Sequence, residues 1–306
     1  MITVNNLHKR FKKFQALKGI DLQVRPGEVY GFIGQNGAGK STTMNILTGL
    51  SRPTAGRCLV NGKDISRITH PSELHIGYLP ENPQFYPWMT AYETLQYLGN
   101  SGADRVSNAR IQQMLDWVGL AAAARRRVGG FSRGMKQRLG IAAALIHDAE
   151  LLILDEPSSA LDPEGRSDVL RLIQELKQVG KTVFFSTHIL SDVERVCDTV
   201  GIIAAGRMVL QKPLQELLSE HIAPVFDIQL FTPPSVGLVD QLRQVPEVLQ
   251  VATNGDSLTV TVKDAAAAGK QLLCWLCEHG LTVRQLSLRK RDLEQVFIKE
   301  VNSDER

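Results

Sequence analysis

The sequence predicts an α/β fold: a mixed sheet core with antiparallel β and helical subdomains, followed by a small C-terminal α+β domain. Three observations predict it. A short apolar run, Val29–Ile33, feeds a glycine-rich stretch that turns into a helical pattern near Lys40, a strand–loop–helix unit. A second apolar run over 151–156 ends in two carboxylates, Asp155 and Glu156, and the strand–helix–strand rhythm continues to about Leu210. Around residues 219–224 that rhythm gives way to short alternating strands and two helical stretches.

The glycine-rich stretch is a phosphate-binding loop in its proper setting. Gly34, Gly37 and Gly39 let backbone N–H groups curl around the phosphates of a nucleotide, with Asn36 and Ala38 between them. Lys40 supplies a point positive charge, the Ser41 hydroxyl can ligate magnesium, and Thr42 completes the pattern at the start of the helix. That helix aims its N-terminal dipole at the same anion.

The strand over 151–156 places its carboxylates at its C-terminal end, where open parallel sheets keep their ligand sites. Asp155 is positioned to hold magnesium through water, and Glu156 to act as general base on the attacking water. By itself the pair reads more readily as an ordinary solvated loop or a helix N-cap. The phosphate-binding loop decides for the site.

Between these elements lies Phe131-Ser132-Arg133-Gly134-Met135-Lys136-Gln137-Arg138. Met135, Leu139, Ala142 and Ile146 fall on one helix face, and Ser132 is its N-cap, so the segment offers a hydroxyl, backbone amides and a helix dipole to an anion. Lying 23 residues before Asp155, it resembles the Leu-Ser-Gly-Gly-Gln signature of ATP-binding cassette (ABC) transporter subunits. Arg133 stands for the first glycine and Met135 for the glutamine.

That resemblance implies roles for further positions. Residues 159–162 resemble the turn that contacts a partner subunit, and His188 resembles the switch histidine that bonds the γ-phosphate. With Lys40 and Glu156, His188 completes the catalytic set. Phe11 is implied as the plate on which adenine stacks, with Phe14 as a competing ring and a core phenylalanine as the plain alternative. Glu81 stands where most family members carry a glutamine that reaches the magnesium, which makes Glu81, Ser41 and Asp155 the implied metal ligands; Gln84 is the alternative register. The run Tyr78-Leu79-Pro80-Glu81-Asn82 is similar to exporter subunits.

The whole set implies an ATPase that binds ATP and Mg2+ and forms a head-to-tail dimer. Each nucleotide would lie between the phosphate-binding loop of one chain and Ser132 and Gly134 of the other. Its cycle would drive export through separate integral membrane permease subunits, with this chain cytoplasmic and peripheral on the inner face of the membrane. The competing class is a soluble ABC-type ATPase that remodels ribosomes or DNA. Such proteins carry paired cassettes or long coiled coils, and the sequence shows neither.

Length and composition agree. A chain of 306 residues that is 43% hydrophobic suits about two domains with real cores. No 18-residue apolar span occurs, and Met1 to Val4 begin a strand pattern, so a soluble, unprocessed chain is expected. Four cysteines do not make a disulfide scaffold, and the Cys274–Cys277 pair is expected to pack in the core of a helix. A net charge of +3 argues against a nucleic-acid partner, and Arg125, Arg126 and Arg127 are expected in a solvated turn.

The domain boundaries follow. Residues 1–221 form the nucleotide-binding domain, with a helical subdomain at about 86–147 that includes helices over 91–98 and 107–118; a further helix covers 165–178. Residues 222–306 form the accessory domain, with strands at 226–230, 258–262 and 282–286 and helices at 236–242 and 265–279. The first part carries 26 basic and 21 acidic side chains and the second 9 and 11, a change from +5 to −2. The ending at 292–297 resembles the C-terminal extensions of exporter ATPases.

Overall fold

The computed structural model describes residues 1–101, 105–220, 224–289 and 293–294. The chain divides into two compact units, one running to Gln215 and one beginning at Glu216. The boundary expected at 221/222 and most of the ending at 292–297 lie outside the described residues.

The first unit opens with a hairpin, β1 (Ile2–Phe11) and β2 (Phe14–Val24), in which Phe11 faces Phe14 across a two-lysine turn. Lys12 takes the left-handed φ of 52° that such a tight turn requires. After β3 (Val29–Ile33) and α1 (Lys40–Leu47), the strands β4 (Ala55–Val60) and β5 (Lys63–Asp64) extend this first sheet in the order β2-β1-β4-β5, all antiparallel.

Next come β6 (Ile76–Leu79) and three helices, α2 (Ala91–Gly99), α3 (Asn108–Trp117) and α4 (Arg133–Ala144). Side chains fix where these helices start. Thr90 and Glu93 form a reciprocal capping box on α2, and Ser107 and Ser132 cap α3 and α4. The remaining elements are β7 (Leu151–Asp155), α5 (Pro163–Gln178), β8 (Thr182–Thr187), α6 (Leu190–Val196), β9 (Thr199–Ala204), β10 (Arg207–Pro213) and α7 (Leu214–Glu220).

The second sheet runs β10-β9-β3-β8-β7-β6, parallel from β9 to β6, with β10 antiparallel at one edge. Its central strands β3, β7 and β8 are buried along their whole length, as strands covered on both faces must be. Their register sets the site. Ile33 pairs with Thr187 and Asp155 with Ser186, so the residues that follow β3, β7 and β8 emerge side by side at the C-terminal ends of the parallel strands. Beneath them Phe184 stacks on Tyr30 at 5.3 Å and packs against Phe32 at 5.5 Å; such pairs contribute about 0.5–1.5 kcal/mol each beyond area burial.

The second unit has β11 (Val225–Leu230), α8 (Val236–Leu242), β12 (Val248–Asn254), β13 (Ser257–Val262), α9 (Ala265–Glu278) and β14 (Val283–Leu288). Its sheet is antiparallel, in the order β12-β13-β11-β14, and its core includes Val239 and Leu242 of α8 and Ala268, Leu272 and Leu276 of α9. Cys274 and Cys277 fall off that stripe and are exposed, which corrects the expectation that they pack in the core. The 268, 272, 276 spacing takes the inner face of the helix, and residues 274 and 277 are turned away from it.

Candidate active site

The loop after β3 is shaped by its glycines. A Cβ on Gly34 would lie 2.6 Å from the Ile203 carbonyl oxygen, so only glycine lets the chain pass there. Gly39 caps α1 with a φ of 113°, whereas a Cβ on Gly37 would meet nothing within 4 Å, which leaves the middle of the loop open. Ala38 is buried and its carbonyl accepts from Gly206 N–H at 3.0 Å, so the loop is tied to the β9–β10 turn. Asn36, Ser41 and Thr42 remain at least partly accessible.

Lys40 is 6% exposed, and its ammonium donates to the Gly34 carbonyl at 2.7 Å and pairs with Glu156 Oε1 at 3.3 Å. The other oxygen of Glu156, Oε2, lies 2.9 Å from His188 Nδ1. Glu156 itself has a φ of 48° and its N–H donates to Ser186 Oγ at 2.9 Å, so the backbone that aims it is held from β8. The three residues expected to act in catalysis therefore form one contiguous cluster built on three adjacent strands.

Asp155 joins through Ser186, whose hydroxyl donates to Oδ1 at 2.6 Å. Burial holds the Asp155 carboxyl above its ordinary value; the Ser186 hydrogen bond pulls it back, the charges of Glu81 and Glu156 raise it, and Lys40 lowers it. Glu81 follows β6, is exposed, and sits close enough for its charge to act on Asp155. Gln84 turns back to the Asn82 carbonyl at 3.4 Å.

The residues present fit a nucleotide phosphate with a hard cation. A cradle shaped by glycines and a buried lysine suit phosphate, and the oxygens of Ser41, Asp155 and Glu81 are of the donor type magnesium takes. Among the described residues no group of three or more His, Cys, Asp or Glu side chains could hold a metal by itself. A cation here would depend on phosphate oxygens and water for the rest of its shell.

The remaining expected residues lie elsewhere on the first unit. Ser132 is exposed and its Oγ accepts from Met135 N–H at 3.2 Å, with Arg133 and Gly134 in the first turn of α4. Phe11 is 49% exposed, which removes the core alternative, and the Lys9 ammonium stands 4.9 Å from its ring centre. Phe14 is more exposed still. Among the described residues no hydrogen bond, ion pair or ring contact joins Ser132, Gly134 or Phe11 to the Lys40–Glu156–His188 cluster. Ser159 N–H donates to the Glu156 carbonyl at 3.1 Å and closes a turn over residues 156–159, from which residues 159–162 lead to the Asp162 cap of α5, with Ala160 at a φ of 52°.

Sequence reasoning missed Ser186, which serves both Asp155 and Glu156. Its signal was faint: one of three hydroxyl residues, with Thr182 and Thr187, in a wholly buried strand. Among the described residues no helix is long and apolar enough to cross a membrane.

Comparison with known proteins gives the family of the chain. A family model described as ABC transporter matches residues 17–159. The chain is 40% identical over 306 residues to YxlF of Bacillus subtilis (strain 168), an uncharacterized ABC transporter ATP-binding protein, covering 99% of this chain and all of that one. It is 31% identical over 303 residues to the linearmycin resistance ATP-binding protein LnrL of the same organism, covering 97% of each. Among solved structures, the dimeric post-hydrolysis form of the ATP-binding cassette MJ0796 with ADP and Pi matches with a TM-score of 0.64 at 25% identity, covering 70% of this chain and 99% of that one. With a glycine-shaped loop, a buried lysine and paired carboxylates at the C-terminal ends of the parallel strands, and a relative matched over its full length, the chain belongs to the ATP-binding, ATP-hydrolysing subunits of ABC transporters.

Proposed function

We propose that this chain powers export: it hydrolyses ATP in a head-to-tail dimer and drives separate membrane permease subunits from the inner face of the membrane. ATP-binding subunits of ABC transporters dimerise and work with membrane permeases. The full-length similarity to a resistance protein supports the outward direction, as does the Tyr78-Leu79-Pro80-Glu81-Asn82 run. The observation that carries the catalytic part is the Lys40–Glu156–His188 cluster at the joined ends of β3, β7 and β8.

In this reading the loop over residues 34–42 binds the phosphates through its amides, and Lys40 holds the terminal ones. Ser41 and Asp155, with Glu81 beside them, hold the magnesium, which when bound neutralises phosphate charge. Glu156 takes a proton from the attacking water, and its aim is fixed by its 2.9 Å contact to His188 and its backbone bond to Ser186. His188 faces the terminal phosphate. Phe11 stacks on the base, and Ser132 and Gly134 close the site from the partner copy by presenting the α4 N-terminus to the phosphates. The domains proposed are residues 1–221 for nucleotide and 222–306 as an accessory unit.

The test is retrieval of the tagged chain from solubilised membranes. A multi-helix permease should copurify, and its ATP-dependent transport should vanish with Lys40→Ala. Recovery of ribosomes or DNA in place of a permease would favour the soluble remodelling class.

A further inference from the structure

Asp192, in α6 and four residues beyond His188, is a carboxylate with no solvent exposure that the hydrolytic cluster does not use. Its Oδ2 accepts from Ser158 Oγ at 2.5 Å and its Oδ1 from Arg166 Nε at 2.6 Å; Arg166 Nη2 also donates to Ser191 Oγ at 2.7 Å. A buried carboxylate is costly unless paired and hydrogen-bonded, and here both oxygens are engaged.

The partners come from three segments. Ser158 is two residues past Glu156 and inside the turn at 156–159, Arg166 lies in the first turn of α5 just after residues 159–162, and Asp192 is on the helix that follows His188. The intervening backbone has little slack, since Glu156 and Ala160 both have left-handed φ and Ser159 N–H is bonded to the Glu156 carbonyl. A shift of α6 against α5 is therefore passed to both ends of the Glu156–His188 contact.

We infer that Asp192 is a positioning residue for hydrolysis. It locks the turn bearing Glu156, the segment at 159–162 and the His188 segment into one register. The inference rests on the reading of Glu156 and His188 given above. It separates from simple helix anchoring, because an anchor lowers stability and the folded fraction but leaves the rate per folded molecule intact, whereas a positioning residue lowers kcat per folded molecule at unchanged KM.

The experiment measures ATP hydrolysis against ATP concentration, together with melting, for the full chain and four variants: Asp192→Asn, Ser158→Ala, their combination, and Arg166→Met with Asp192→Leu. Folded Asp192→Asn should lose about 10–100-fold in kcat, the effect of misplacement on the order of an ångström, while KM stays within about twofold. Ser158→Ala added to Asp192→Asn should cost little more, because both break one network. The apolar Met/Leu pair should recover melting close to wild type, as replaced ion pairs do, yet stay slow. Wild-type kcat in folded Asp192→Asn, or in the Met/Leu pair, overturns the inference. Glu156→Gln run alongside separates the two readings: if it hydrolyses at the wild-type rate, the site assignment itself fails.

Discussion

Glu156→Gln removes one charge and keeps the shape of the side chain. In the wild type, Lys40 Nζ stands 3.3 Å from Oε1 with both side chains under a tenth exposed. At an effective dielectric of about 20, unit charges at that separation attract by about 5 kcal/mol before desolvation is subtracted. A phosphate oxygen must compete with that attraction for the ammonium. The Gln variant lacks it, and Lys40 keeps its bond to the Gly34 carbonyl, so MgATP should bind no more weakly than to wild type. Turnover should behave otherwise. A positioned general base contributes about 10²–10⁴-fold, or about 3–5 kcal/mol of barrier. Equilibrium binding of a fluorescent ATP analogue and single-turnover hydrolysis would separate the two effects, and ATP-loaded dimers should accumulate. Hydrolysis within tenfold of wild type, or clearly weakened binding, would refute the assignment of Glu156 as base.

Two further outcomes follow. Because Asp155 holds its proton more tightly folded than unfolded, its ionisation costs stability as pH rises from the ordinary value of 3.8 through the raised folded value. Asp155→Asn, measured in chelator, should then melt higher than wild type at pH 7, with the gain fading toward pH 4; a difference that ignores pH would sink this. Glu81→Gln should change hydrolysis by the isolated subunit little while lowering transport per ATP in vesicles with the permease, and equal transport per ATP in Glu81→Ala would make Glu81 a bystander.

Much of the site was legible because its parts are local. The glycine loop, the 151–156 strand and the Ser132 cap are each specified within about ten residues, and the structure places them as expected. What joins them was not legible. The Lys40–Glu156–His188 contacts, the service of Ser186 to two carboxylates, and the Asp192 network link residues 26 to 116 positions apart, and only the sheet order brings them together. In the second unit β12 went unseen because only Val248 and Val251 of its residues are buried and a register shift breaks its alternation. The cysteine pair misled for a different reason. An apolar helix of that composition has more hydrophobic residues than its inner face can cover, and Leu273 is exposed alongside the two thiols.

The central claim is that each nucleotide is shared between two copies, with Lys40 from one and Ser132 from the other. Mixing Lys40→Ala chains with Ser132→Phe chains tests it most directly, because a head-to-tail heterodimer rebuilds one intact site from two defective parents. The account predicts hydrolysis by the mixture and none by either variant alone. A mixture as inactive as its parents, with heterodimers shown to be present by native mass spectrometry, would contradict it.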